Sequence, residues 1–171
     1  MYGTLEQRDD GRWQLRFTRN LAHPIERVWR AVTEPEHLAK WFPSTIEGER
    51  ATGATLRFSF PVEGVEPIDG EMLAYEPPTL MRLSWGADIL ELNLRSTSEG
   101  TELTLIDILD EHGKAARDGA GWHKCLDALE SALQGEPDAR ERLGDWSEVH
   151  AVYVERFGPE AATIGPPEGV N

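Results

Sequence analysis

The chain has 171 residues, enough for one domain with a sizeable core and short for two. A hydrophobic fraction of 39% with six Trp excludes a disordered chain, and a formal net charge of −14 disfavours nucleic acid and anionic membrane surfaces as partners. The single cysteine, Cys125, excludes an intramolecular disulfide and a multi-cysteine metal site.

The opening MYGTLEQRDDGRW lacks the hydrophobic core of a signal peptide, and no apolar run approaches the roughly 20 residues that span a bilayer. A cytoplasmic protein is therefore expected. The first strand is read where Trp13, Leu15 and Phe17 alternate with Gln14, Arg16 and Thr18. Pro24 then suits a first helical position, and Ile25, Val28, Trp29 and Val32 follow the spacing of an amphipathic helix. Pro35 opens a second short helix that delivers Trp41 and Phe42, and Pro43 closes the unit.

A weak strand is read over residues 45–49, followed by the alternating Leu56, Phe58 and Phe60 and a Pro- and Gly-bearing loop over 61–67. Residues 68–75, 80–85, 89–95 and 101–109 read as four further strands joined by short turns. Connections this short join antiparallel neighbours, so a meander is expected. A long helix runs from residue 118 or slightly earlier to 133, with Trp122, Cys125, Leu126, Leu129 and Leu133 as its apolar stripe and Gly135 and Pro137 as its stop. Beyond it, Trp146, Val149, His150, Tyr153, Val154 and Phe157 recur at helical spacing within residues 138–157. That segment is expected to dock on the domain, on a second copy in a homodimer, or on a protein partner. Residues 158–171 are expected to be loosely attached. The domain is thus read as 1–135, with a helical extension and tail over 136–171.

The order Val28-Trp29, Pro35-Glu36, Trp41-Phe42, Gly53, residues 70–78, residues 101–105 and Gly121-Trp122 with Leu126, Leu129 and Leu133 resembles the START-like (SRPBCC) helix-grip superfamily. Within it the group related to the activator of the Hsp90 ATPase is the most similar, over residues 12–135. The resemblance implies an α+β fold: a curved antiparallel sheet wrapped around a long C-terminal helix, two short helices after the first strand, and a cavity between sheet and helix. It implies a shape shared by lipid carriers, hormone receptors and cyclases, not one activity.

Alternation along the strands selects the residues expected to face that cavity. They are Phe58 and Phe60, Trp85 with Leu83, Leu92 with Leu90 and Leu94, and Met72, opposed by Trp122 and Leu126 from the helix and closed at one end by Trp41. The phase of Met72 is ambiguous because Leu73 and Ala74 are also apolar. Each such side chain is also worth about 1.5–3 kcal/mol as plain core. If Leu103 and Leu105 point inward, so does Asp107, where a carboxylate orients a ligand or exchanges a proton. Against this, the nearby Asp110, Glu111 and Gly113 predict a frayed strand end and a solvated Asp107. Asp118 is expected to cap the long helix if the helix begins after it, or to fall on the inward stripe near Trp122 if it begins earlier; His123 is expected on the rim and Cys125 in the core. No histidine spacing matches a metal site, and no phosphate loop is present, so neither a metal nor a cofactor is expected. Non-enzymatic binding of a small hydrophobic or amphipathic molecule is the leading expectation. A cyclase- or dehydratase-like enzyme using Asp107 or Asp118, and a chaperone- or stress-related interaction module, are the alternatives.

Overall fold

The computed structural model describes residues 1–136 and 144–166. Seven antiparallel strands form one sheet in the order β1-β2-β7-β6-β5-β4-β3. In chain order they are β1 Thr4–Gln7, β2 Trp13–Leu21, β3 Thr55–Phe58, β4 Ile68–Glu76, β5 Leu80–Trp85, β6 Asp88–Thr97 and β7 Gly100–Leu109. Helices α1 (Ile25–Thr33) and α2 (Pro35–Leu38) follow β2, α3 (Ala115–Leu133) follows β7, and α4 is Trp146–Phe157. The curved sheet and the long helix α3 form the α+β helix-grip architecture expected from the sequence.

The edge strand β1 precedes the strand read as first, so the two short helices follow the second strand. The strand expected over residues 45–49 reduces to a single bridge between Glu47 and Arg57. The ambiguous phase at Met72 has a physical cause: the β4–β5 register shifts between Met72 and Ala74. A bulge of this kind puts consecutive residues out of strict alternation. Elsewhere alternation decides burial. Leu90, Leu92 and Leu94 are buried on β6, and Thr101, Leu103, Leu105 and Asp107 on β7. The register places Asp107 between Leu15 of β2 and Leu90 of β6, and Leu90 is opposite Leu83. One row of the inner face therefore reads Leu15, Asp107, Leu90, Leu83, with a carboxyl among leucines.

Helix α3 lies over this face and buries Trp122, Leu126, Leu129 and Leu133. Gly135, at φ +79°, follows its C-cap in the left-handed region that glycine tolerates. Helix α3 begins at Ala115, after a 3₁₀ turn over His112–Lys114. Asp118 consequently sits in the first turn and is not the N-cap, which is Lys114.

Helix α4 docks on α3 in the structure. A Cβ at Gly119 would meet Tyr153 at 3.2 Å and Phe157 at 3.3 Å, so the glycine lets the two helices approach closely. Tyr153 is fully buried. Its hydroxyl accepts the Gly3 backbone N–H at 2.8 Å and shares a hydrogen bond with His123 Nδ1 at 2.9 Å. His123 Nε2 lies 3.3 Å from Asp127, which also meets Arg19 of β2 at 3.3 Å. His123 is 8% exposed, contrary to the rim position expected for it, because α4 and Tyr2 cover that side of α3. The tail is also better anchored than expected. Pro159–Ala162 forms a 3₁₀ turn, Ala161 is buried, and Ile164 N–H donates to Gly113 O at 3.0 Å. Residues 138–143 of the expected helix and residues 167–171 of the tail lie outside the described residues.

Tyr153→Phe keeps the ring and removes the hydroxyl that joins β1, α3 and α4. The variant is expected to lose about 1–3 kcal/mol of stability in urea denaturation, the cost of leaving buried partners unsatisfied. Unchanged stability would contradict the latch.

Candidate functional site

The space between sheet and helix is filled with rings at one end. Phe42 contacts Trp41 and Trp85 at ring-centroid distances of 5.3 Å and Trp122 at 5.8 Å. Trp85 in turn contacts Phe58 at 5.1 Å, Phe60 at 5.9 Å and Trp122 at 5.9 Å. These are offset and edge-to-face separations of an aromatic cluster. The Trp41 indole N–H donates to Ala31 O at 2.9 Å, which locks that ring beneath α1.

Open volume lies on either side of the cluster. The larger cleft, about 940 Å³, runs between α1–α2, residues 43–50 and the Phe60–Tyr75 side of the sheet; Trp29, Leu38, Phe42, Ile46, Phe60 and Tyr75 are its apolar walls. The smaller cleft, about 520 Å³, opens between residues 85–88 and the first half of α3, with Trp85, Trp122, Cys125 and Trp146 along it. Pro43 and Phe60 line both, so they stand between the two. Of the residues selected from the sequence, Phe60, Trp85 and Trp122 line a cleft. Trp41, Phe58, Met72, Leu92, Leu126 and Asp107 are buried beneath and line neither. Sequence reading missed Trp29, Tyr75 and Arg50. Trp29 was visible only as one member of a helical stripe, and Arg50 carried no periodic signal.

Asp107 is 1% exposed, not solvated. The strand does not fray, because β2 pairs with it as far as Trp13 opposite Leu109. Its Oδ2 accepts the Trp122 indole N–H at 2.8 Å, and its Oδ1 has no hydrogen-bond partner. Burial, and then the Asp88 carboxylate, hold Asp107 well above the ordinary carboxylate range; the Trp122 bond favours the ionised form and Asp118 disfavours it. Asp88, a buried residue the sequence did not single out, accepts Lys114 Nζ at 2.7 Å and the Asp110 backbone N–H at 2.8 Å. Burial pushes it up to about 6 against the pull of that lysine. Lys114 lies 2.5 Å from Asp110 and 4.0 Å from Asp118, which also meets Arg117 Nε at 2.7 Å. Burial works against the Lys114 charge, but Asp110 and Asp88 outweigh it and hold its pKa up.

Carboxylate oxygens of Asp88, Asp107 and Asp118 lie within 4.8 Å of one another, the one group of potential metal-ligating side chains of this kind among the described residues. Lys114 supplies a positive charge there, and a proton on Asp107 removes a negative one.

Residues 22–134 match the sequence model of the Activator of Hsp90 ATPase homolog 1-like protein family. The chain belongs to that family. Its fold is shared with a conserved protein of unknown function from Enterococcus faecalis at a TM-score of 0.76 and 21% identity, over 91% of this chain and 90% of that one. CalU16 from Micromonospora echinospora is similar at a TM-score of 0.70 and 21% identity, over 91% and 92% of the two chains. A protein from Mesorhizobium loti matches at a TM-score of 0.62 and 24% identity, over 71% and 97%. At these identities the likeness establishes the fold. No curated protein matches the sequence. This member of the Hsp90-activator-like family has no helix among its described residues that is long and apolar enough to cross a membrane.

A raised Asp107 pKa means that the folded chain holds this proton more tightly than the unfolded chain does. Its contribution to stability therefore falls as pH rises from the ordinary value, 3.8, through the folded value, and is constant above. Asp107→Asn cannot titrate and still accepts from Trp122. Urea denaturation between pH 4 and pH 8 is expected to show the variant gaining on the parent as pH rises. A difference that is flat with pH would contradict a protonated Asp107.

Proposed function

We propose that this protein binds a small hydrophobic or amphipathic molecule without catalysing its conversion, and that the molecule lies in the larger cleft beside α1 and α2. The observation that carries this reading is the cleft itself. Its volume of about 940 Å³ falls at the upper end of the range for small-molecule sites, and Trp29, Leu38, Phe42, Ile46, Phe60 and Tyr75 supply apolar walls. The rings between sheet and α3 support the same location, because they occupy the space in which a ligand was expected from the family shape.

Acid–base chemistry has weaker support. Asp107 has the environment of a proton store, but Trp122 lies over it and it lines neither cleft. General acid–base catalysis requires hydrogen-bond reach to the reacting group. A role as partner-binding module has less to rest on, since α4 turns Tyr153 inward onto His123 and Gly3.

The test uses the neutral, environment-sensitive dye prodan with the full chain. One saturable site is expected. Ala39 is small, exposed and on the cleft wall, so Ala39→Trp fills the space without touching the core. That variant is expected to weaken binding by more than about tenfold, equivalent to about 1.4 kcal/mol. An absence of saturable binding, or binding indifferent to Ala39→Trp, would overturn the reading.

A further inference from the structure

One charged group in the larger cleft is part-buried and makes no ion pair among the described residues. Arg50 is half-buried on the cleft wall. Its Nε donates to Thr33 O at 2.9 Å, Nη1 to Gly48 O at 3.0 Å and Nη2 to Ile46 O at 3.0 Å. All three acceptors are backbone carbonyls. Among the described residues it makes no ion pair; Arg12 shares this pattern of backbone carbonyl acceptors but lies on neither cleft. A guanidinium carries five N–H donors, so three engaged here leave two, five minus three, without an assigned acceptor. Burial pushes the Arg50 guanidinium below the ordinary arginine range, and the Tyr75 hydroxyl is the group that opposes this.

The other charged residues of the cleft are exposed. The acidic residues on the same cleft, Glu34 and Glu47, are both exposed at its margin, and Glu34 already faces His37 at 3.5 Å. Arg30 adds a second cation to the wall. The two cations and two anions of the cleft balance in number, and Arg50 differs from the other three in being part-buried.

We infer that Arg50 is the receptor for an anionic head group, so that the ligand class of this cleft is an amphipath with an apolar body and a carboxylate or similar oxyanion at one end. The inference rests on the reading of the cleft as a ligand site. The apolar body lies along Trp29, Phe42 and Ile46, and the head meets the unused edge of the guanidinium. The three carbonyl bonds hold the fork in place before the ligand arrives, so little side-chain freedom is lost on binding. Thr33 is the last residue of α1, and Arg50 on its carbonyl also favours that helix terminus. A purely structural clasp would do this much and no more, and the experiment separates the two roles.

Decanoate and decanol share an apolar chain and differ in the head. Each is titrated into the full chain at pH 8, followed by tryptophan fluorescence, with the parent, Arg50→Gln and Arg50→Lys. In the parent, decanoate is expected to bind at least about tenfold tighter than decanol, the size of a charge-assisted hydrogen bond. Arg50→Gln is expected to close that gap to about twofold or less, and Arg50→Lys to retain part of it because the charge remains without the fork. A clasp alone predicts that both ligands weaken together. Equal affinities in the parent, a comparison that needs no variant, would overturn the inference while leaving the cleft a ligand site. So would a gap that survives Arg50→Gln. Binding of neither molecule, together with no saturable binding of prodan, would overturn the cleft reading and the inference with it.

Discussion

The indole N–H of Trp122 meets the Asp107 carboxyl at 2.8 Å, in a row of the sheet otherwise made of Leu15, Leu90 and Leu83. Moving a carboxyl into such a place is unfavourable unless it is neutral or hydrogen-bonded. Here burial raises the carboxyl's pKa and the side chain accepts one bond. That bond joins the middle of the sheet to the first half of α3 and sets where the Trp122 ring lies. The positions of Trp85, Phe42 and Phe58 follow from it, since each ring packs edge or tilted against the next. The rings so placed fill one end of the space between sheet and helix.

Volume is displaced as a result. The larger open space lies beside the core, between α1–α2, the segment over residues 43–50 and the Phe60–Tyr75 side of the sheet, and the smaller one opens between residues 85–88 and α3. The electrostatics divide along the same line. The smaller cleft gathers aspartates around Lys114, and the larger one presents Arg50 with no carboxylate facing it. The ring cluster separates the two environments, and Phe60 and Pro43 are the residues they share.

Much of the fold was legible because it follows from local periodicity. The strands over residues 80–85 and 101–109, the Pro35 helix start and the stripe on α3 all rest on side-chain spacing, and the bulge at Met72 showed itself as an ambiguous phase. The errors share a different origin. Asp107 was placed at a frayed end because polar residues follow it, yet the long pairing with β2 keeps the strand regular to Leu109. Asp118 read as a cap because the turn over His112–Lys114 leaves no mark in periodicity. His123 lies off the apolar stripe of its own helix, and a different segment, carrying Tyr153, buries it. The candidate site was partly legible for the same reason. Phe60, Trp85 and Trp122 came from alternation and helical phase, whereas Arg50 owes its position to three carbonyls brought together by the loop and α1.

The central claim is that ligand enters beside α1 and leaves the ring-filled interior undisturbed. Two-dimensional ¹⁵N–¹H spectra report this directly, because the tryptophan indoles sit on either side of the boundary. On titration with prodan, the Trp29 indole and the backbone amides of residues 44–50 are expected to shift. The Trp41 and Trp122 indoles are expected to stay in place, held by Ala31 O and Asp107. Movement of Trp41 and Trp122 with Trp29 unmoved would put the ligand between sheet and helix and contradict the account.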